Sequence, residues 1–177
     1  MEKDTESYRE IWKEMRYGKE EIYQLLETEK ILFEKVEHPA VYTIDGMKDL
    51  HLPNEEAVAK NLFVRDKKKK QYYLIVLRED KHCDLKALQE KVGSDKPLGF
   101  ASEEDLDRIL GLIRGSVTPL GALNDEERRV RVIVDATFAG QLIGMHPNDN
   151  TASVWLRADI LMDLLQRHGC QAEWMEL

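Results

Sequence analysis

Asn61-Leu62-Phe63-Val64-Arg65 and Tyr72-Tyr73-Leu74-Ile75-Val76-Leu77-Arg78 flank a polar stretch that contains four consecutive lysines, Lys67 to Lys70. Both flanks are rich in the β-branched and aromatic residues that suit a pleated, half-buried surface, so each reads as a strand. The lysines between them read as a solvated turn. Strands joined by so short a connection are antiparallel neighbours, because a parallel pair needs a crossover of a dozen or more residues. This reversal decides the fold class.

Outward from it, strands and helices interleave. Upstream, Ile22, Tyr23, Leu25 and Leu26 form the apolar face of a helix over 19–30, and residues 31–37 read as a strand broken at His38-Pro39. Helical turns are expected around 45–50 and 54–60, the second with Asn54 as N-cap and Glu55 and Glu56 in its first turn. Downstream, a helix over 84–92 stops at Gly93. Ser102-Glu103-Glu104-Asp105 has the capping-box pattern and starts another, running to about Leu110. Val130 to Asp135 is a buried-type strand. Leu142 to Met145 and Ser153 to Leu156 flank a second reversal at 146–151. Ala158 to Arg167 is a helix ended by Gly169, and 173–177 a last edge strand. The expected architecture is α+β: one domain over 18–177 with a mixed, largely antiparallel, curved sheet surrounded by helices. Tyr8, Ile11, Trp12 and Met15 form one helical stripe, so 1–17 reads as an N-terminal helical extension that packs on the domain or on a partner.

At 177 residues the chain can bury a core without disulfides or metal. No apolar run approaches the roughly 20 residues of a membrane helix, and the charged start has no apolar segment behind it. Both absences point to a cytoplasmic protein with no membrane partner. Cys83 and Cys170 are isolated, so neither a disulfide framework nor a zinc knuckle is expected, and His82 and His168 beside them read as surface neighbours of reduced thiols. The net charge of −8 sits awkwardly with nucleic-acid binding, which is dominated by phosphate neutralisation. A protein that grips only one end of a nucleic acid needs just a local positive patch, and Arg65 with Lys67, Lys68, Lys69 and Lys70 offers one.

The usual catalytic signatures are missing. There is no Gly-x-Ser-x-Gly elbow, no phosphate loop and no dinucleotide fingerprint. The five histidines show no metal-ligand spacing, so no metal and no cofactor are expected. Three polar loop signals remain. Lys60-Asn61 opens the first strand of the hairpin; taken alone, Lys60 also suits a helix end and Asn61 a C-cap. Gly115-Ser116-Val117-Thr118-Pro119 follows a helix, with Gly115 permitting close backbone approach and Pro119 opening the next helix; taken alone, it is also a plain connection. His146-Pro147-Asn148-Asp149-Asn150-Thr151 carries a histidine able to orient water, in what is equally a strand reversal.

Together, in this order, the three resemble the YbaK/ProX family of freestanding aminoacyl-tRNA deacylases. Lys60-Asn61-Leu62-Phe63-Val64-Arg65-Asp66 is similar to that family's Lys-Asn-Leu-Phe-Leu-Arg-Asp segment. The Gly115 to Pro119 loop, followed by Leu120-Gly121-Ala122-Leu123-Asn124-Asp125, resembles its Gly-Ser-Val-Thr-Pro loop. His146-Pro147, with Asn150-Thr151, resembles its His-Pro loop. The resemblance spans about 20–170; Val64 replaces the common leucine, and the lysine run is unusually dense.

The resemblance implies a hydrolase that removes a wrong amino acid from tRNA and works by positioning water and stabilising an oxyanion. It implies catalytic roles for Lys60, Gly115 and His146. Asn61, Ser116, Val117, Thr118, Pro119, Asn150, Thr151 and Thr43 would contact the aminoacyl-adenosine end. Val41, Thr43, Met47 and Val117 are expected as pocket walls, and Arg65 and Lys67 to Lys70 as contacts to the tRNA backbone. The partner implied is the acceptor end of an aminoacyl-tRNA, with prolyl-tRNA synthetase as a second. The loop form resembles the alanine-specific branch, which implies alanyl-tRNA-Pro as substrate. Cysteinyl-tRNA-Pro, another aminoacyl-tRNA, a general ester substrate and a noncatalytic tRNA- or synthetase-binding role stand as alternatives.

Overall fold

The structure, a computed structural model, describes residues 16–177. The stripe of Tyr8, Ile11, Trp12 and Met15 lies outside these residues. Tyr17, at the end of the expected extension, is clasped through its backbone: its N–H donates to Asn124 Oδ1 at 2.7 Å, and its carbonyl accepts from Asn148 Nδ2 at 2.8 Å.

The lysine-turn hairpin forms as the residue pattern predicts. Strand β2 (Ala59–Asp66) pairs antiparallel with β3 (Tyr72–Arg78), with Lys60 opposite Leu77 and Arg65 opposite Tyr72. Asp66 ties the turn, its carboxylate accepting from the Lys70 N–H at 2.8 Å, and the four lysines stand exposed. Because alternate residues of a strand face opposite sides, β3 feeds two cores. Tyr72, Leu74 and Val76 enter the larger one; Tyr73, Ile75 and Leu77 enter a smaller one with Leu88 and Val92. Those last two belong to helix α3 (Leu85–Val92), capped by the Asp84 side chain and ended by Gly93 in the left-handed region.

The strands divide into two sheets. The five-stranded sheet has the order β4-β2-β3-β5-β8, with β4 (Leu98–Phe100), β5 (Val130–Asp135) and β8 (Gln171–Met175). The three-stranded sheet runs β1-β7-β6, with β1 (Glu34–Glu37), β6 (Leu142–Met145) and β7 (Ala152–Arg157). Four ladders are antiparallel; β3–β5 and β5–β8 are parallel, which suits the continuous apolar run of β5. The mixed, largely antiparallel character expected is present, although in two sheets and not in one. Helices α1 (Lys19–Thr28) and α5 (Ala158–Arg167) bury Ile22 and Leu26, and Leu161, Leu164 and Leu165, in the larger core.

Two local readings are corrected. The turn expected over 54–60 is a single 3-10 turn, Glu55–Ala57. Asn54 adopts φ 50° and makes no side-chain cap; its carbonyl instead accepts from Trp155 Nε1 at 3.2 Å. Lys60 and Asn61 therefore stand inside β2, so neither closes a helix. The Ser102-capped segment is one α-turn, α4 (Glu103–Asp105), continuing as a π-type stretch, Leu106–Leu110, before Gly111.

Candidate active site

The two sheets touch where β2 begins. Val58 makes a parallel bridge to Gly144 of β6, and only glycine permits it: a Cβ on residue 144 would lie 2.6 Å from Trp155 Nε1 and 3.1 Å from Val58. This junction sets the start of β2 beside the end of β6, and so brings Asn61 and His146, far apart in sequence, to one cavity.

A third element closes the cavity. The segment 41–44 is clasped from two sides. Asn150 Nδ2 donates to the Val41 carbonyl at 3.0 Å, and the His38 N–H donates to the Thr151 carbonyl at 2.9 Å. From the other side Gly115, at φ +88°, packs so closely that a Cβ would meet Tyr42 Cα at 3.1 Å. Thr43 caps helix α2 (Ile44–Asp49) by accepting from the Gly46 N–H at 3.0 Å.

The resulting cavity has a volume of about 290 Å³. Thr43, Lys60, Asn61, Gly115, Val117 and His146 all line it, as do Val41 and Met47. Sequence reasoning missed Tyr42, Ile44, Lys48, Leu52, Glu55, Val58, Glu79 and Met145, which also line it. Tyr42 and Ile44 are large apolar residues left 64% and 47% exposed, which makes the rim of the cavity greasy. The available signal was large apolar residues on either side of Thr43, the N-cap of a short helix that Ile44 opens.

The polar groups differ in what they leave free. His146 Nδ1 lies 2.7 Å from the Ala152 carbonyl, which can only accept, so Nδ1 carries the proton and Nε2 is left as an acceptor. Burial pushes the imidazole pKa down; the Ala152 contact opposes this and nearby His38 adds to it, so the ring is neutral at neutral pH. Asn61 Nδ2 donates weakly to its neighbour Ala59 at 3.4 Å, whereas Asn61 Oδ1 is buried without a partner. An orphaned buried acceptor is rare and invites a donor. Lys60 leaves β2 on the other face from Asn61 yet also lines the cavity, and its ammonium donates to the Lys81 carbonyl.

Several expected site residues serve the loops instead. Ser116 is buried, its hydroxyl donating to the Ile113 carbonyl at 2.8 Å. Thr118 is fully buried and caps the 3-10 helix Pro119–Asn124, which Pro119 opens. Asn150 is spent on Val41. Thr151 is held by Asp149, whose carboxylate accepts from its N–H at 2.8 Å. None of these four side chains, nor that of Pro119, lines the cavity. Arg65 packs beside Asp105 at 3.9 Å, in a group where Asp105 also accepts from Tyr72 (3.0 Å) and Arg108 (2.7 Å). The lysine turn sits at the far end of β2, about 20 Å from Lys60 at strand rise.

Residues 38–164 match the model of the aminoacyl-tRNA editing domain family. The chain is 41% identical over 161 residues to the prolyl-tRNA editing protein ProX of Acetoanaerobium sticklandii, covering 90% of this chain and 98% of that protein. It is 31% identical over 153 residues to the mouse prolyl-tRNA synthetase associated domain-containing protein 1, covering 84% and 90%. A solved protein described as a candidate trans-editing enzyme for prolyl-tRNA synthetase superposes with a TM-score of 0.60 at 20% identity, over 82% of this chain and 87% of that one, and so shares its fold. The match over most of the domain, with the cavity built from its matched segments, shows that the chain belongs to the aminoacyl-tRNA editing domain family.

Proposed function

We propose that the chain is a trans-editing deacylase that hydrolyses mischarged tRNA-Pro, with alanyl-tRNA-Pro as its substrate. The observation that carries this reading is the meeting of an unpartnered buried acceptor, Asn61 Oδ1, with a neutral His146 and the tight Gly115 turn at one cavity. The likeness to a prolyl-tRNA editing protein over nearly the whole of both chains supplies the substrate class.

An aminoacyl ester is already activated, so hydrolysis needs geometry more than a protein nucleophile. Water attacks the ester carbonyl, the acyl C–O bond breaks, and the products are a free amino acid and a ribose hydroxyl. His146 Nε2 accepts a hydrogen bond from the attacking water or from the neighbouring ribose hydroxyl. Backbone N–H groups at Gly115 and Val117 face the developing oxyanion, and the Lys60 ammonium supplies positive charge beside the ester or the terminal phosphate. Asn61 Oδ1 takes a donor from the aminoacyl group or the ribose.

The apolar walls Val41, Met47 and Val117 define the side-chain subsite. Selection by one methylene is worth only about 1–3 kcal/mol, so the larger ring of proline is excluded by clash. Lys67 to Lys70 engage the tRNA backbone away from the ester. The substrate is the mischarged product of prolyl-tRNA synthetase, which places the protein where translation occurs, in the cytoplasm.

Deacylation of alanyl-, cysteinyl- and prolyl-tRNA-Pro, with Asn61→Ala beside wild type, tests this. Alanyl-tRNA-Pro is expected to be cleared fastest, prolyl-tRNA-Pro spared, and Asn61→Ala slow. Faster clearance of cysteinyl-tRNA-Pro moves the substrate assignment. Equal turnover of small esters replaces editing with general ester hydrolysis, and no turnover of any aminoacyl-tRNA leaves a noncatalytic tRNA-binding protein.

A further inference from the structure

Lys60 does not hang freely at the cavity wall. Its ammonium donates to the carbonyl of Lys81, in the turn that follows β3. That turn is itself anchored. The Lys81 N–H closes it on the Arg78 carbonyl at 3.0 Å, and the Lys81 ammonium reaches the Asp135 carboxylate at 2.6 Å and the Leu177 carbonyl at 3.1 Å. Asp135 ends β5 and is completely buried. Burial alone would raise its carboxyl pKa; the Lys81 ammonium and the Thr137 N–H outweigh that and hold it below the usual carboxylate range. Asp135 is thus ionised at neutral pH, and the contact with Lys81 is deep on its side and half-open on the other.

A buried ion pair is weak support for stability, because desolvation offsets much of the attraction. Its geometry gives it a different use. Three of the cavity's borders hang from this turn: Lys60 through the Lys81 carbonyl, Glu79 directly, and Lys48 through its 3.1 Å ion pair with Glu79. An ammonium has three donors, so one spent on Lys81 leaves two for a substrate. We propose that Lys81 and Asp135 are positioning residues, which fix the Lys81 carbonyl and through it hold the Lys60 ammonium at the cavity wall. This rests on the catalytic reading of Lys60 given above.

A double-mutant cycle with Lys60 separates positioning from general support. The link from Lys81 to Lys60 is a main-chain carbonyl, so Lys81→Met leaves the acceptor in place and removes only what anchors it. Pairing it with Asp135→Asn gives a second variant without a stranded charge. Single-turnover deacylation of alanyl-tRNA-Pro under excess enzyme, with uncatalysed hydrolysis subtracted, is measured for each in wild-type and Lys60→Ala backgrounds. Affinity for a nonhydrolysable amide-linked alanyl-tRNA is measured in parallel.

Misplacement by about 1 Å costs up to 10²-fold, so both variants are expected to slow the wild-type background by about tenfold or more with little change in affinity. In the Lys60→Ala background the loss should be under about twofold, and Lys81→Arg should restore most of the rate. Equal fold-losses in both backgrounds, or none in wild type, would overturn the proposal while leaving the function intact. Full activity of Lys60→Ala itself would instead remove the catalytic reading of Lys60, and this inference with it.

Discussion

The side-chain amide of Asn150 donates to the carbonyl oxygen of Val41 at 3.0 Å, and the Val41 N–H returns a longer bond of 3.4 Å to the Asn150 carbonyl. Both residues are buried. Asn150 therefore shapes the cavity from behind its wall. Asn150→Ala strands the Val41 carbonyl, which costs about 1–3 kcal/mol. Urea denaturation should register that loss, and KM for alanyl-tRNA-Pro should rise as the 41–44 segment loosens. Unchanged stability with a large fall in kcat would return Asn150 to direct substrate contact.

Gly115 sits at φ +88° with Tyr42 backbone 3.1 Å from where a Cβ would be. Gly115→Ala meets both penalties: about 1–2 kcal/mol of left-handed strain, and a backbone contact that cannot swing away. Gly93→Ala makes a matched control, since Gly93 has φ +73° and open space around its Cβ position. Equal destabilisation of the two, read from Tm, would refute the close-packing argument; the expectation is a larger drop at Gly115, accompanied by loss of deacylation.

Burial holds the His146 pKa below its ordinary 6.5. In the unfolded chain the ring protonates first as pH falls, so the unfolded state binds more protons between 6.5 and the folded value. The contribution of His146 is accordingly complete above about pH 6.5 and is lost as pH drops through that window. Activity should follow, with an acid limb whose apparent pKa lies below 6.5. The limb should vanish in His146→Gln; a pH–rate profile of unaltered shape in that variant would take proton-linked work away from His146.

The exposed lysine turn makes a separable claim. Replacing Lys67 to Lys70 with serine removes four charges about 20 Å along β2 from Lys60. Affinity for tRNA should fall, and the slope of log K against log salt should shrink by about 0.7–0.9 for each phosphate left without its lysine. The single-turnover rate at saturation should stay put. An unchanged salt slope would reduce the turn to a solubilising feature.

Much of the fold was readable from residue order alone. The hairpin around the lysines, the Ser102 cap and the stop at Gly93 depend on neighbours in sequence and form as the local chemistry dictates, whereas Asp84, read as the first residue of its helix, is the cap before it. The parallel pairing of β3, β5 and β8 and the division into two sheets depend on partners far along the chain, such as Tyr72 with Val130 and Glu34 with Trp155. The three-residue strand β4, containing Gly99 just after Pro97, carries too little β pattern to announce itself.

Lys60, Asn61, Gly115 and His146 all line the one cavity. Ser116, Thr118, Asn150 and Thr151 share their motifs, yet their side chains are consumed in holding those motifs together. A loop motif records both what touches a ligand and what keeps the loop in shape, and residue type does not sort the two. Tyr42 and Ile44 lie outside every motif and reach the cavity only because tertiary contacts clasp their segment.

The bridge between Val58 and Gly144 makes the cavity a seam between the two sheets. A ligand seated there, against Asn61 on one side and His146 on the other, crosses that seam and rivets it. Occupancy should therefore be legible far from the ester: the whole domain melts later when its cavity is filled, by an increment that grows with the logarithm of ligand concentration. Affinities of nonhydrolysable ligands for the cavity can then be ranked by heat alone, without any turnover.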